Sequence, residues 1–369
     1  MVGASKTERI SVSRIIAHLD MDAFFAAIEE RDTPAFRGVP LVVGADPRGG
    51  KGRGVASTSN YLARAYGIHS ATPISTAWRL SEAARRAGKP PVTFVSVDMT
   101  KYVRVSDEVM GIVRKFIPIV EQASIDEAYG DLSFTGTFEE AEGLCRRLKE
   151  AIRAEEWLTA SIGIGPNKLI AKIASGMQKP DGLTVVKEEE AEAFLAPLSI
   201  RAIPGIGPKT EAMLAKRRIR LVKDLKPLSV HQLEELLGKR GVDLYDKIRG
   251  LDESPVEEFS EPKSIGEQET FETDTRESRA LVGQLEVLAK DVIDRLHREG
   301  FQFFRTLVLT VRFADFETKS RAHTLARPAS DAGTLHREAL KLFLPFLDRR
   351  ENPRRKLIRL LGLRVEKLQ

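Results

Sequence analysis

Cysteine is almost missing: Cys145 is the only one in 369 residues, which excludes an intramolecular disulfide and a cysteine-ligated zinc site. No apolar run approaches the roughly 18 residues of a membrane span, and the polar stretch 1–9 lacks a signal-peptide pattern. The chain is therefore expected to be soluble and cytoplasmic, with no membrane partner. There is no tandem repeat and no strong excess of one charge. The net charge is +5, and all of it falls in residues 263–369, which hold 21 Lys and Arg against 16 Asp and Glu. That third is the expected grip for a polyanion, which requires the charge to cluster on one face. The length is too great for one core and predicts two to four domains.

Two short acidic stretches stand out: His18-Leu19-Asp20-Met21-Asp22 and, much later, Ser124-Ile125-Asp126-Glu127. Each lies beside an apolar, strand-like run: Ile15 to Leu19 for the first, and Val120 to Ser124 with Ala128 to Leu132 for the second. Carboxylates meeting there across neighbouring strands are hard oxygen ligands for a divalent cation. A lone Asp-Glu pair is usually a solvated loop acid. Two such stretches, each behind an apolar run, point instead to acids gathered where their repulsion needs a cation. Successive side chains of a straight strand point to opposite faces, so Asp126 and Glu127 can serve one site only if the backbone bends between them.

Strand and helix patterns alternate from about residue 10 to residue 186. They are interrupted by the Gly/Arg-rich loop 46–54, and a subdomain is inserted between the first strand and Val92 to Val97. Residues 187–252 turn wholly helical, with Leu221, Leu225, Leu233, Leu236 and Leu237 at helical spacings. A Glu-rich segment containing Pro255 and Pro262 reads as an exposed linker. Beyond it, strand-like 307–313 and 357–365 flank helical 281–298 and 335–347, a βαβ-type arrangement.

Within the helical stretch, Ile203-Pro204-Gly205-Ile206-Gly207-Pro208-Lys209 reads as two helices joined by a Gly-x-Gly hairpin. Gly205 and Gly207 allow the turn, the N–H groups opening the second helix can face a phosphate, and Lys209 adds charge. It resembles the helix-hairpin-helix motif, which grips DNA backbones, and a plain helix turn is the alternative. Tyr61 and Arg64, three apart on a predicted helix, can present a phenol and a guanidinium to a triphosphate. A packed aromatic and an exposed charge would explain them equally well. Asn167-Lys168, Lys172 and Lys179-Pro180 supply further cations that, alone, would read as a solvated face.

Taken in order, Leu19-Asp20-Met21-Asp22-Ala23-Phe24-Phe25, Ser57-Thr58-Ser59-Asn60-Tyr61-Leu62-Ala63-Arg64, Ser124-Ile125-Asp126-Glu127-Ala128-Tyr129, Gly163-Ile164-Gly165-Pro166-Asn167-Lys168, Lys179-Pro180-Asp181-Gly182, Pro204-Gly205-Ile206-Gly207 and Lys263-Ser264-Ile265-Gly266 resemble the Y-family DNA polymerases of the DinB/kappa branch. The resemblance covers nearly the whole chain. It implies a multidomain α/β and α+β right-hand polymerase: palm at 10–23 and 90–186, fingers at 24–89, helix-hairpin-helix thumb at 187–253, linker at 254–262 and a βαβ-type little finger at 263–369.

The resemblance further implies that Asp20, Asp126 and Glu127, with the Met21 carbonyl, hold two Mg²⁺ ions, Mn²⁺ being able to substitute. Tyr61, Arg64 and Lys179 match the triphosphate-binding positions, and Gly205, Gly207 and Lys209 the DNA-backbone grip. Asp22 lies in the motif but is not a family ligand. Phe25 matches the steric gate against ribonucleotides, whereas Phe24 is the better core residue, since adjacent helical positions rarely both face inward. The positions over the nascent base pair, Val55, Ser57, Ser70 and Ala71, are all small, and a loose lid discriminates little beyond pairing energy. Low-fidelity, distributive translesion synthesis without a proofreading exonuclease is therefore expected.

The implied partners are primer-template DNA and dNTPs, on a nucleoid-associated monomer. Gly130 stands where the family usually has a branched apolar residue. A sliding clamp is an expected partner, although no clamp-binding tail with aromatic anchors follows the last predicted strand. Two other classes stay open: a two-metal helix-hairpin-helix nuclease, and a DNA-binding homologue without chemistry.

Overall fold

The computed structural model describes residues 14–369 apart from 260 and 349; residues 10–13 of the expected palm lie outside the described residues. The chain divides into two compact units, the first ending at Phe259. In chain order, the first unit contains β1 (Ile16–Met21), α1 (Phe24–Asp32), β2 (Leu41–Gly44), β3 (Ala56–Ser59), α2 (Tyr61–Arg64), α3 (Ile74–Arg86) and β4 (Thr93–Ser96). Then come α4 (Met99–Phe116), β5 (Ile119–Gln122), β6 (Glu127–Asp131), α5 (Phe138–Glu156), β7 (Ala160–Gly165), α6 (Lys168–Ser175) and β8 (Leu183–Val185). Five helices complete it: α7 (Ala191–Leu195), α8 (Pro208–Ala215), α9 (Val222–Leu225), α10 (Val230–Leu237) and α11 (Lys239–Lys247).

The central sheet has the order β5-β6-β1-β7-β8, antiparallel except for the β7–β8 pair. β1 is its middle strand and has partners on both edges, so Ile16, Ala17, Leu19 and Met21 are all buried, and its sequence reads as a nearly continuous apolar run. The helices α4 and α5 contribute Tyr102, Val105, Val109, Leu148 and Ile152 to its main core. Each starts on a side-chain cap: Asp98 accepts from the Lys101 N–H and Thr137 from the Glu140 N–H. Cys145 lies in this core, and burial pushes its thiol up to about 12, so it is a packing residue.

Helix α6 lies directly on β1 and β7. A Cβ at Gly163 would fall 2.1 Å from the Ala171 carbonyl oxygen, so glycine there is what lets the helix approach so closely. The Asn167 side chain caps α6 through the Ile170 N–H and donates to the Gly250 carbonyl at 2.6 Å. The Leu169 N–H donates to Asp252 Oδ2 at 3.1 Å. These bonds fasten the helical segment α7–α11, whose core also takes up Leu169, Ile170 and Ile173.

The inserted subdomain is a second sheet of order β3-β2-β4 with its own small core around Val42, Ile68 and Ile74. Its strand β4 runs parallel to β2. Residues 93–96, assigned above to the palm, therefore join the insertion instead, because Val92 and Phe94 pack into that small core.

Gly130 faces Ile117, whose Cδ1 and Cγ2 would lie 2.8 and 2.9 Å from an added Cβ; isoleucine thus occupies the volume that a branched residue at 130 would take. Gly130→Val is expected to cost about 1–3 kcal/mol by overpacking, and Ile117→Ala combined with it to recover part of that loss, both read by urea unfolding.

The second unit holds β9 (Ser264–Thr275), α12 (Ser278–Arg298), β10 (Phe304–Phe313), β11 (Thr318–Ala329), α13 (Ala332–Leu347) and β12 (Ile358–Glu366). Its antiparallel sheet has the order β11-β10-β12-β9. The two helices share a core with Leu307, Leu309, Val311, Leu361 and Leu363. The expected βαβ pattern is completed by two strands absent from the sequence reading, β9 and β11. Both are edge strands that bury few apolar side chains, Ile265 in β9 and Leu325 in β11, so their period-2 signal is weak.

Candidate active site

The two acidic stretches meet on the middle of the central sheet. Asp20 and Glu127 are direct partners across β1 and β6, and the Met21 N–H donates to the Asp126 carbonyl at 2.9 Å. The expected bend is present, spanning Ser124 to Asp126. Ser124 builds it: its Oγ accepts from the Glu127 N–H at 3.0 Å and donates to Asp126 Oδ1 at 2.6 Å. Asp126 thus lies just outside the regular strand β6, which starts at Glu127.

Cations balance these acids. Lys179 forms an ion pair with Asp20, and Lys172, from α6, donates to Glu127 Oε2 at 2.6 Å. His18 Nε2 is 3.6 Å from the same oxygen. Together His18 and Lys172 hold the Glu127 carboxyl down at about 2. Burial lowers the His18 pKa, and its Nδ1 lies 2.8 Å from Ser175 Oγ, which itself donates to the Lys172 carbonyl. Lys172 Nζ also lies 3.3 Å from His18 Nε2, and at hydrogen-bonding distance it is the stronger partner of Glu127. Burial raises the Asp20 carboxyl, against the pull of Lys179. Neighbouring Lys168 binds both oxygens of Glu121 and lies 4.7 Å over the Tyr129 ring, so this row of lysines is no solvated face.

Among the described residues no three His, Cys, Asp or Glu side chains are gathered into a ready cation cage. The donors nevertheless fit Mg²⁺: Asp20 and Glu127 across one strand pair, Asp126 beside them, and the Met21 carbonyl are all hard oxygens. Asp22 is not part of this set. It is 3% exposed and its oxygens accept from Thr159, Ser161 and the Asp181 N–H.

Around the acids, Tyr61 opens α2 with Asn60 as its cap. Its hydroxyl faces Asp22 Oδ1 at 3.4 Å, and burial with that acid pushes it up to about 12. The Arg64 guanidinium stacks 4.6 Å over the Tyr61 ring, so the pair shares a face as expected. Phe24 is 2% exposed and belongs to the core. Phe25 is half-buried and stacks on Tyr102, with centroids 4.2 Å apart and planes 12° apart. The Tyr102 hydroxyl is tied in turn to Glu29 at 2.7 Å. The turn carrying Ser70 and Ala71 is bonded to the start of β3 through the Ala71 N–H and the Ala56 carbonyl at 2.8 Å, which brings it beside Val55 and Ser57; Val55, Ser70 and Ala71 are exposed.

In the helical segment, the arm before the hairpin is only a 3₁₀ turn, Ile200–Ala202, and not a full helix. Gly205 has φ +96°, the left-handed conformation that favours glycine. Ile203 and Ile206 anchor the loop in the core, and Arg201 donates to the Ile206 carbonyl at 2.7 Å. Gly207 caps α8 without a side chain, Pro208 follows, and Lys209 is exposed beside the open N–H groups. Tyr102 had no role in the sequence reading, His18 and Ser124 figured only as members of the acidic stretches, and Lys172 only as one of several cations. Only Ser124 carries a local signal, a hydroxyl two residues before an acid at a turn.

Comparison with known proteins agrees with this geometry. The impB/mucB/samB family matches residues 19–176 and its C-terminal domain residues 262–369, and the thumb domain of DNA polymerase-iota matches residues 201–252. The chain is 42% identical to a DNA polymerase IV 2 of Methanosarcina mazei, over 100% of this chain and 96% of that protein. It is 43% identical to a DNA polymerase IV of Methanoculleus marisnigri, over 97% and 95%. Among solved structures, a Y-family DNA polymerase chimera superposes with TM-score 0.83 at 27% identity, over 96% of this chain and 99% of that one. The insertion ternary complex of Dbh DNA polymerase gives 0.63 at 26%, with coverage of 96% and 99%. With similarity running from end to end and paired acids on the middle strands of its sheet, the chain belongs to the impB/mucB/samB family and is a DNA-directed DNA polymerase of the Y-family, a translesion enzyme.

Proposed function

We propose that Asp20, Asp126 and Glu127, with the Met21 carbonyl, hold two Mg²⁺ ions and that the chain extends a primer 3′ end across damaged template bases. The observation that carries this is the pairing of Asp20 with Glu127 across β1 and β6, beside the bend that presents Asp126. When bound, the ions would lower the pKa of the primer hydroxyl and neutralise the departing pyrophosphate. The protein's own share is positioning. Lys179 from one side, and Tyr61 with Arg64 from the other, hold the triphosphate, and Phe25 lies under the sugar, braced by Tyr102. Val55, Ser57, Ser70 and Ala71 cover the nascent pair without bulk, which leaves room for a lesion. In this reading the central sheet with α4–α6 is the palm, the inserted sheet the fingers, α7–α11 the thumb and the second unit the little finger.

Incubation with a primed template, Mg²⁺ and dNTPs should give products longer than the primer; extension that needs no divalent cation would overturn the metal assignment. A panel of lesion templates then defines which bases are bypassed. In the thumb, Gly205 and Gly207 shape a backbone grip completed by Lys209. Lys209→Ala should weaken DNA binding by a similar factor for all sequences and reduce the slope of log K against log salt by about 1. A loss confined to some sequences would count against a phosphate contact.

A further inference from the structure

We infer that Asp22 is the positioning residue of the triphosphate grip, fixing both the loop that carries Lys179 and the phenol of Tyr61. This rests on the reading of Lys179 and Tyr61 as triphosphate ligands. Asp22 is 3% exposed, and a carboxylate can only accept, so every group around it must point a donor inward. Its Oδ2 accepts from the Asp181 N–H at 2.7 Å and from Thr159 Oγ1 at 2.9 Å. Its Oδ1 accepts from Ser161 Oγ at 2.8 Å and faces the Tyr61 hydroxyl at 3.4 Å.

The loop is held a second time by the same network, since Ser161 Oγ also accepts from the Gly182 N–H at 3.2 Å. From outside, Lys149 donates to the Asp181 and Gly182 carbonyls at 2.5 and 2.9 Å, and Arg153 pairs with the Asp181 carboxylate. The backbone two residues beyond Lys179 is thus pinned on both sides. Tyr61 belongs to the inserted subdomain, and Asp22 is where its hydroxyl meets the central sheet. One buried carboxylate therefore sets the separation of two groups that must grip the same triphosphate. A buried charge is costly to keep, and an apolar residue here would leave the Asp181 N–H unpaired and the phenol without direction.

The test is the dNTP dissociation constant on a dideoxy-terminated primer-template, where no turnover occurs, with the DNA dissociation constant measured alongside. Asp22→Ala should raise the dNTP constant about tenfold or more, the size of one lost charge-assisted bond, and leave the DNA constant within about twofold. Asp22→Asn keeps an acceptor for the Asp181 N–H, while the hydroxyls can turn to accept from its amide; it should recover most of the loss. Ser161→Ala removes a single atom from the network and should shift the constant the same way by a smaller factor, which keeps the test open if Asp22→Ala does not fold. In a Lys179→Ala background, Asp22→Ala should add a smaller factor than it does alone, because only the phenol of Tyr61 is then left to place.

An unchanged dNTP constant for Lys179→Ala removes the triphosphate reading and this inference with it. A clear loss for Lys179→Ala beside unchanged constants for the Asp22 and Ser161 variants overturns this inference alone. An Asp22→Ala defect that higher Mg²⁺ abolishes also overturns it, since the acid would then act through the cation.

Discussion

Asp126→Asn is expected to abolish primer extension while DNA binding stays within about twofold. The amide has the size of the carboxylate and can still accept the 2.6 Å bond from Ser124 Oγ, so the bend survives. What goes is one negative charge at the point where, in the proposed function, the cations are held. Metal-borne charge stabilisation is worth several kcal/mol; at about 1.4 kcal/mol per tenfold in rate, a loss on the order of a thousandfold follows. The two readouts together are decisive. A weakened DNA complex with proportionate loss of activity would mean a folding or binding defect, and extension at the native rate would remove Asp126 from the site.

Phe25→Ala should admit ribonucleotides, with sugar discrimination falling roughly a hundredfold and deoxynucleotide incorporation little changed, because steric exclusion by a ring vanishes with the ring. The ring can act as a wall because it is fixed: it stacks on Tyr102, whose hydroxyl is bonded to Glu29, itself paired with Lys101 at 2.6 Å. Losing that stack costs about 0.5–1.5 kcal/mol beyond lost burial, which the fold tolerates. Phe24→Ala provides the contrast: it should cost about 3–5 kcal/mol in stability by opening a core cavity and leave sugar selection alone. Competition between dNTP and rNTP in single-nucleotide extension, paired with urea unfolding, separates the two.

The parts of this site that could be read from the sequence are those whose chemistry is local. Asp20, Asp126 and Glu127 sit at the ends of apolar runs, and strand alternation demanded a bend between Asp126 and Glu127, which the structure places just before, at Ser124–Asp126. The different fates of Phe24 and Phe25 follow from helical geometry. His18, Lys172 and the Asp22 network were not legible, because they depend on where α6 and the Asp181 loop land, and that is decided by the close approach at Gly163, remote from the acids in sequence. Lys172 looked like one cation in a polar row until the helix was docked. Gly130 could be noticed as unusual, but not that Ile117 fills its space. The pairing of β4 with β2 was missed for the same reason: a four-residue strand does not say which sheet it joins.

Helix α6 is bonded at its first turn to Gly250 and Asp252, at the far end of the thumb segment, and at Lys172 to Glu127. With a rise of about 1.5 Å per residue, less than one turn separates Leu169 from Lys172. The thumb is therefore not an interchangeable cassette that can be cut where the chain leaves the central sheet. A transplant from a relative keeps its registration with Asp20 and Glu127 only if residues 163–175 travel with it, so the natural crossover point for hybrids lies before β7.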